Sequence, residues 1–357
     1  MKKFYFLFFF LLPSVVISQS DISKILKDVE VSGLVSFYYA YDTDKGQSLR
    51  QFSAMSEIRN QFRIDLAQIS AKYESDFIRG KTTFHFGDIP RYNWPDKMQL
   101  IQEAYVGVSP AKDFWIDAGY FITHIGGETF PMYNFFSTFA MSSYVEPFYQ
   151  SGIKISYDFS EKFSASLHIL NGYNVLEDNN ENVSAGIQLI YTHCPNLKIT
   201  YNNIIGNEMP KSTDGRTRML NNLVVNLSPV KNLELIISGD YTFQEKSKLD
   251  GSDNSAFAYG TFISSRYKVH PKINLMLRGE YFSDPDGILA GVYLNSEGNS
   301  SGVKNSIGVT GGIEYKPIES SYFRLEARYL QFDETLKLFH DNSNSRGEVI
   351  LSSGIEF

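Results

Sequence analysis

The sequence predicts an all-β fold, a transmembrane antiparallel up-and-down β-barrel of about sixteen strands. Three observations carry this: a leader for export, segments of roughly ten residues that alternate between apolar and polar, and connections that alternate short and long along the whole chain.

The leader comes first. Lys2 and Lys3 precede an almost wholly apolar run, Phe4 to Leu12; Pro13 breaks it, and Val16-Ile17-Ser18 offers a cleavage site before Gln19. This reads as a secretory signal peptide over residues 1–18, because the run is far shorter than the about 20 apolar residues of a membrane helix. No Cys stands at the cleavage point, so no lipid anchor is expected. Residues 19–29 form a periplasmic lead-in, where Ile22, Ile25 and Leu26 are spaced for one face of a short helix, and residues 30–357 form the barrel.

Composition agrees with this reading. Mean hydropathy is −0.22, which suits a barrel because only alternate strand residues face lipid. There are 28 Phe and 23 Tyr against 2 Trp, an excess that suits a boundary between hydrocarbon and water. The net charge of −7 argues against nucleic acid as a partner. Cys194 is the only cysteine, so the chain has no intrachain disulfide.

Alternation places the strands near 30–41, 60–74, 77–87, 99–109, 113–122, 148–159, 163–172, 182–193, 196–205, 217–228, 232–244, 255–269, 272–283, 303–316, 321–332 and 346–357. Leu235 and Ile237 alternate with Glu234, Ile236, Ser238 and Asp240; Leu275 and Leu277 alternate with Asn274, Met276 and Arg278; Leu325 lies between Arg324 and Glu326. Leu235, Ile237, Leu275 and Leu325 are expected to face lipid, and Glu234, Arg278 and Arg324 water. A phase change between Leu66 and Ile69 predicts a β-bulge. Tight turns such as Ser160-Glu161-Lys162 and Cys194-Pro195 alternate with Asp-, Asn-, Ser- and Gly-rich stretches such as 244–255 and 283–302. Outer-membrane barrels pair short periplasmic turns with longer extracellular loops in this way. Outward-running strands end in Tyr39/Tyr41, Tyr120, Tyr173, Tyr201, Tyr241/Phe243, Tyr281 and Tyr329, and inward-running ones in Tyr73, Tyr157/Phe159, Tyr191, Tyr267, Tyr315 and Phe357. These form two aromatic girdles; the strands ending at Val108 and Leu227 do not obey. A soluble β-sandwich also alternates, but its apolar face must be filled from inside, and sixteen tilted strands enclose too wide a lumen for that.

Ile101-Gln102-Glu103-Ala104-Tyr105-Val106-Gly107, Asp117-Ala118-Gly119-Tyr120-Phe121, His124-Ile125-Gly126 and Glu128, with Pro147 to Lys154 and Leu170-Asn171-Gly172-Tyr173, make the sequence similar to the β-barrel porin family of OmpL-like proteins, outer-membrane porins of Bacteroidetes-type bacteria. The likeness covers nearly the whole chain after the leader, and its recognisable wording lies within about residues 60 to 175. It implies a channel with no cofactor and no assigned catalytic residue. Phe357, with Ile355 and Leu351 on the same face, looks like the terminal signature read by the barrel-insertion machinery. The run Phe135 to Met141 matches no family pattern.

The expected function is an aqueous channel for passive diffusion of small hydrophilic solutes, in contact with outer-membrane lipid; the reading admits a homotrimer. Arg63, Arg79, Lys81 and His85 are expected to point inward from the second and third strands, Glu103 and Asp117 from the fourth and fifth, and Arg324 and Arg328 from the fifteenth. The third long connection, Ile122 to Pro147, is the longest and carries Glu128 and Glu146. Folded inward, it would set these acids against Arg63, Arg79 or Lys81 and filter solutes by charge. No Ser-His-acid arrangement stands out among the six histidines, so an enzyme is not expected. Asp42-Thr43-Asp44-Lys45-Gly46 resembles the opening of a calcium loop without the later Glu, and no metal is expected. The competing reading is a non-channel barrel whose loops serve as adhesin or surface receptor.

Overall fold

The computed structural model of the chain describes residues 28–46, 48–178, 180–210 and 215–357. The expected signal peptide and the part of the lead-in with helix-like spacing, residues 1–27, lie outside the described residues. Sixteen antiparallel strands close into one barrel, each paired with its neighbours in sequence. They are β1 (Val29–Asp42), β2 (Phe62–Glu74), β3 (Ile78–Phe86), β4 (Ile101–Ala111), β5 (Phe114–Ile122), β6 (Tyr149–Ser160), β7 (Phe163–Leu170), β8 (Ser184–Cys194), β9 (Leu197–Asn207), β10 (Thr217–Val230), β11 (Leu233–Gln244), β12 (Ala256–His270), β13 (Ile273–Asp284), β14 (Val303–Tyr315), β15 (Ser321–Phe332) and β16 (Ser345–Glu356).

Closure follows from the register between β1 and β16, which runs from Leu34 opposite Glu356 to Asp42 opposite Glu348. Gly33 and Phe357 extend it by exchanging two backbone hydrogen bonds, of 2.7 and 2.9 Å. The Phe357 ring lies across Gly33, where a Cβ would come within 2.5 Å of it. With the seam closed, no strand is left as an open edge of the sheet, which lipid requires.

Side-chain phase decides which face meets hydrocarbon. On β12, Ala256, Ala258, Gly260, Phe262 and Ser264 turn in, while Tyr259, Thr261 and Ile263 turn out. Leu275, Leu277, Ile307, Val309, Leu325 and Leu351 form an exposed apolar belt over β13–β16. Aromatic residues flank the belt. Tyr241 packs 5.8 Å from Tyr259 near the loop end, and Tyr157, Phe159 and Phe163 are in contact in series near the short-turn end. Tyr173 is an exception to the expected girdle: it lies in the fourth loop and donates to the Val145 carbonyl at 2.6 Å.

The bulge in β2 falls at Asp65, one residue before the expected interval, between the pairs Ser36–Leu66 and Phe37–Ile64. The extra residue lets Asp65 and Leu66 both sit buried, and Asp65 accepts from the Ser56 amide of the first loop at 2.9 Å.

Three of the long connections pack as a layer on the inside of the wall. Residues 43–61 join β1 to β2, and residues 87–100, which include helix α1 (Asp88–Asn93), join β3 to β4. Residues 123–148, with helix α2 (Met141–Val145), join β5 to β6. An inner cluster joins Met55, Ile89, Trp94, Met132 and Phe139 from these loops to Leu34, Leu66 and Tyr322 of the wall.

Candidate functional site

The third loop, 123–148, organises the lumen. Wall side chains satisfy its backbone one group at a time. Arg324 donates to the Pro131 carbonyl at 2.6 Å and Arg278 to the Thr138 carbonyl at 2.6 Å. The Ser137 amide donates to Glu326 at 2.6 Å and the Met141 amide to Glu280 at 3.0 Å. Phe135 and Phe136 pack on Met276, with Ile236 beside them. The loop therefore lies flat against the inner face of β13–β16, and the arginines of that wall are sealed beneath it.

This redraws the expected aperture. Glu128 pairs with Arg278 at 2.7 Å, with side-chain exposures of 1% and 0%, and also accepts from the Ala140 amide. Glu146 lies against Asn222 and Asp240. Neither acid meets Arg63, Arg79 or Lys81. Those three have nearer partners: Arg63 holds Asp88 of α1 with two bonds of 2.5 and 2.6 Å, Arg79 holds Asp117 at 2.5 Å, and Lys81 holds Glu103 at 2.6 Å. Lys154 joins Asp117 from β6 at 3.3 Å, and the Arg79 guanidinium lies 4.2 Å over Trp115. On the far wall Arg324 pairs with Glu314 at 2.6 Å and Arg328 with Glu280 at 2.5 Å. The water-facing role expected of Arg278 and Arg324 is corrected: both face inward, and loop backbone fills the space in front of them. At Asp42, where a calcium loop would begin, the carboxylate is taken by Arg50 and Arg59. Among the described residues no group of three His, Cys, Asp or Glu side chains is placed to hold a metal ion.

The other half of the lumen is less filled. Cross-strand register stacks its inward residues in rows. Nearest the short-turn end are Thr192, Lys198 and Asn226, followed by Ile190, Thr200 and Val224, and then Gln188, Asn202 and Asn222. The next row is Gly186, Ile204 and Leu220. A cavity of about 330 Å³ opens against the lower rows, bounded opposite by Thr123 to Phe130, Phe139, Glu146 and Phe148 of the third loop. Side-chain amides run along its wall in a chain. Gln188 donates to Asn202 at 2.9 Å, Asn202 to Asn222 at 2.7 Å, and Asn222 to Asp240 at 2.7 Å. Burial, then the neighbouring Asp240 and Glu128, hold the Glu146 carboxyl well above the ordinary carboxylate range.

Above the amide row the lumen turns apolar. Ile125, Leu170, Ile204 and Leu220 pack together at 1–4% exposure, with Tyr173 against them. The His124 ring stacks on His168 at 4.0 Å and lies over Gly186, where a Cβ would come within 2.8 Å of it. Burial lowers the His124 pKa from its ordinary value.

The sequence does hold a signal for the docked loop. Met276, Ile236, Phe262, Phe282, Ile204 and Leu220 occupy the inward phase of their strands, where a water-filled lumen would want polar groups. Each is a seat for loop side chains or part of the plug, and the unmatched run Phe135 to Met141 is what several of them receive.

A closed sixteen-stranded barrel with an apolar outer belt, short turns at one end and an inward third loop defines an outer-membrane β-barrel of the porin class. The chain belongs to the family described as "Putative beta-barrel porin-2, OmpL-like", whose model matches residues 28–357. No curated protein matches it. Solved structures share the fold at low identity. The outer-membrane channel DcaP of Acinetobacter baumannii has a TM-score of 0.64 at 12% identity, over 92% of this chain and 97% of that one. The anion-selective porin from Comamonas acidovorans gives 0.62 at 9%, over 92% and 99%. OmpT of Vibrio cholerae in its trimer form gives 0.59 at 13%, over 92% and 99%. The chain is thus a protein of the bacterial outer membrane.

Proposed function

We propose that the chain forms an aqueous channel for passive diffusion of small hydrophilic solutes, and that it catalyses no reaction. The observation that supports this most is the less filled half of the lumen. A cavity lined by both polar and apolar side chains lies between the base of the third loop and β8–β10, with the exposed Lys198 at its short-turn edge. The short-turn end holds a basin of about 1030 Å³ among Lys231, Arg266, Lys268, Lys272 and Lys316, which is the periplasmic mouth in this reading. The third loop is the constricting element. Of the residues expected to line the pore, Arg79 with Asp117 and Lys81 with Glu103 form ion pairs on the inner wall. Arg63, Glu128, Glu146, Arg324 and Arg328 instead hold the loops in place.

Two partners belong to the same proposal. Phe357 is 73% exposed at the barrel seam, available as a terminal recognition signal for the insertion machinery. A homotrimer is supported by the trimer form named for Vibrio OmpT.

Purified full-length protein, fused into planar bilayers in KCl, is expected to give discrete single-channel steps. A barrel that serves only as a surface adhesin would leave the bilayer silent at every protein concentration, and that result would end the channel reading.

A further inference from the structure

The cavity beneath the plug has a chemistry of its own. We propose that it is a binding site for neutral polyhydroxylated solutes, simple sugars being the type. The proposal rests on the channel reading and names the solute class for it.

The wall carries almost no usable charge at this level. Of the two acids that border the cavity, Glu128 is committed to Arg278, and Glu146 is buried against Asp240 and Asn222. Lys198 is the cation at its short-turn edge. An anion held firmly here would need an arginine fork, and the arginines lie sealed behind the third loop, while Lys198 offers a lone point charge at the edge. A cation would need an open carboxylate at the cavity.

What the wall does offer is amides and hydroxyls in register. Gln188 spends both N–H groups, on the His124 carbonyl at 3.1 Å and on Asn202 at 2.9 Å, and keeps its own carbonyl oxygen. Asn202 spends one N–H on Asn222 and keeps the other. One acceptor and one donor on adjacent strands match a hydroxyl group, which is itself both donor and acceptor. Thr200 and Asn226 add the same chemistry one and two rows lower.

The facing side is aromatic. Phe130 and Phe148 line it, with Phe148 fixed by Trp94 at 6.2 Å and Phe139 at 6.0 Å. A pyranose or furanose ring has hydroxyl edges and apolar C–H groups. Amides against the hydroxyls and the apolar aromatic side against the C–H groups are complementary to both. A purely apolar solute would leave the amides desolvated and unpaired, which costs more than the ring contact returns.

The test uses full-length protein in liposomes. It reads the swelling rate with glucose and with gluconate, each divided by KCl conductance from the same preparation. Glucose is expected to pass well ahead of gluconate, and glucose added to planar bilayers to interrupt the KCl current. Asn202→Ala and Asn226→Ala should each lower the glucose-to-KCl ratio about fivefold, the size of one neutral hydrogen bond. Asn226→Asp, nearly isosteric, should lower it too while raising cation preference, and heat-modifiable migration on gels checks that each barrel is folded. If folded wild type conducts KCl but passes gluconate as fast as glucose, or if the ratio ignores Asn202 and Asn226, the solute class is overturned and the channel stands. If folded wild type conducts nothing, the channel reading falls and this inference with it.

Discussion

Replacing Ile204 and Leu220 together by serine should raise single-channel conductance several-fold. Both side chains sit in the plug with Ile125 and Leu170, at 2% and 1% exposure, directly above the amide row. A tight cluster of apolar side chains narrows the path on this side of the lumen, and an apolar constriction carries ions less well than a polar one of equal width. Serine removes bulk and supplies hydroxyls, so the constriction widens and turns polar. The two wall positions stay in their strands, and backbone pairing of β9 with β10 is untouched. Leucine-sized truncations in packed cores cost about 2–5 kcal/mol each, so some loss of thermal stability should accompany the gain in current. Unchanged conductance in a folded variant would mean that the solute path avoids this plug.

The second large effect concerns the sealed wall. Arg278→Ala should destabilise the third loop by about 3–5 kcal/mol, because it leaves Glu128 buried without its partner and the Thr138 carbonyl without its donor. The readout is proteolytic nicking within residues 128–141, which should accelerate strongly while the barrel itself stays protected. Adding Glu128→Gln should recover much of the loss, since an amide still accepts from the Ala140 amide and carries no charge to desolvate. Equal nicking in wild type and Arg278→Ala would show that the ion pair does not hold the loop.

The barrel was legible in the sequence because period-two alternation is a local signal. Leu275 and Leu277 alternate with Met276 and Arg278 whatever the loops do, and all sixteen strands fall within two residues of their expected bounds. The seats of the third loop were less legible, because a strand's phase says which way Arg278 or Arg324 points and nothing about what arrives in front of it. Pairing was misread for the same reason. Arg79 and Asp117 belong to strands that do not pair directly, and they meet across Gly107 of the strand between them, where a Cβ would come within 2.1 Å of the Asp117 carboxylate. A glycine opposite two charges is a signal that can be read once the register is known. The plug was recorded in the sequence too, as Ile204 and Leu220 in the polar phase of β9 and β10. Without the loop to cover them, those two residues look like defects in an otherwise hydrophilic lumen.

The central claim is that one half of the lumen is sealed by the third loop while the other stays hydrated, and cysteine accessibility tests it most directly. In a Cys194→Ser background, which removes the exposed native thiol, a membrane-impermeant maleimide would be applied to single-cysteine variants of the folded barrel. Ser166→Cys and Asn226→Cys, on the hydrated half, should label readily. Ser352→Cys and Thr310→Cys, at 2% and 0% exposure beneath the third loop, should stay protected until residues 132–141 are deleted. Rapid labelling of Ser352→Cys and Thr310→Cys with the loop intact would contradict the account.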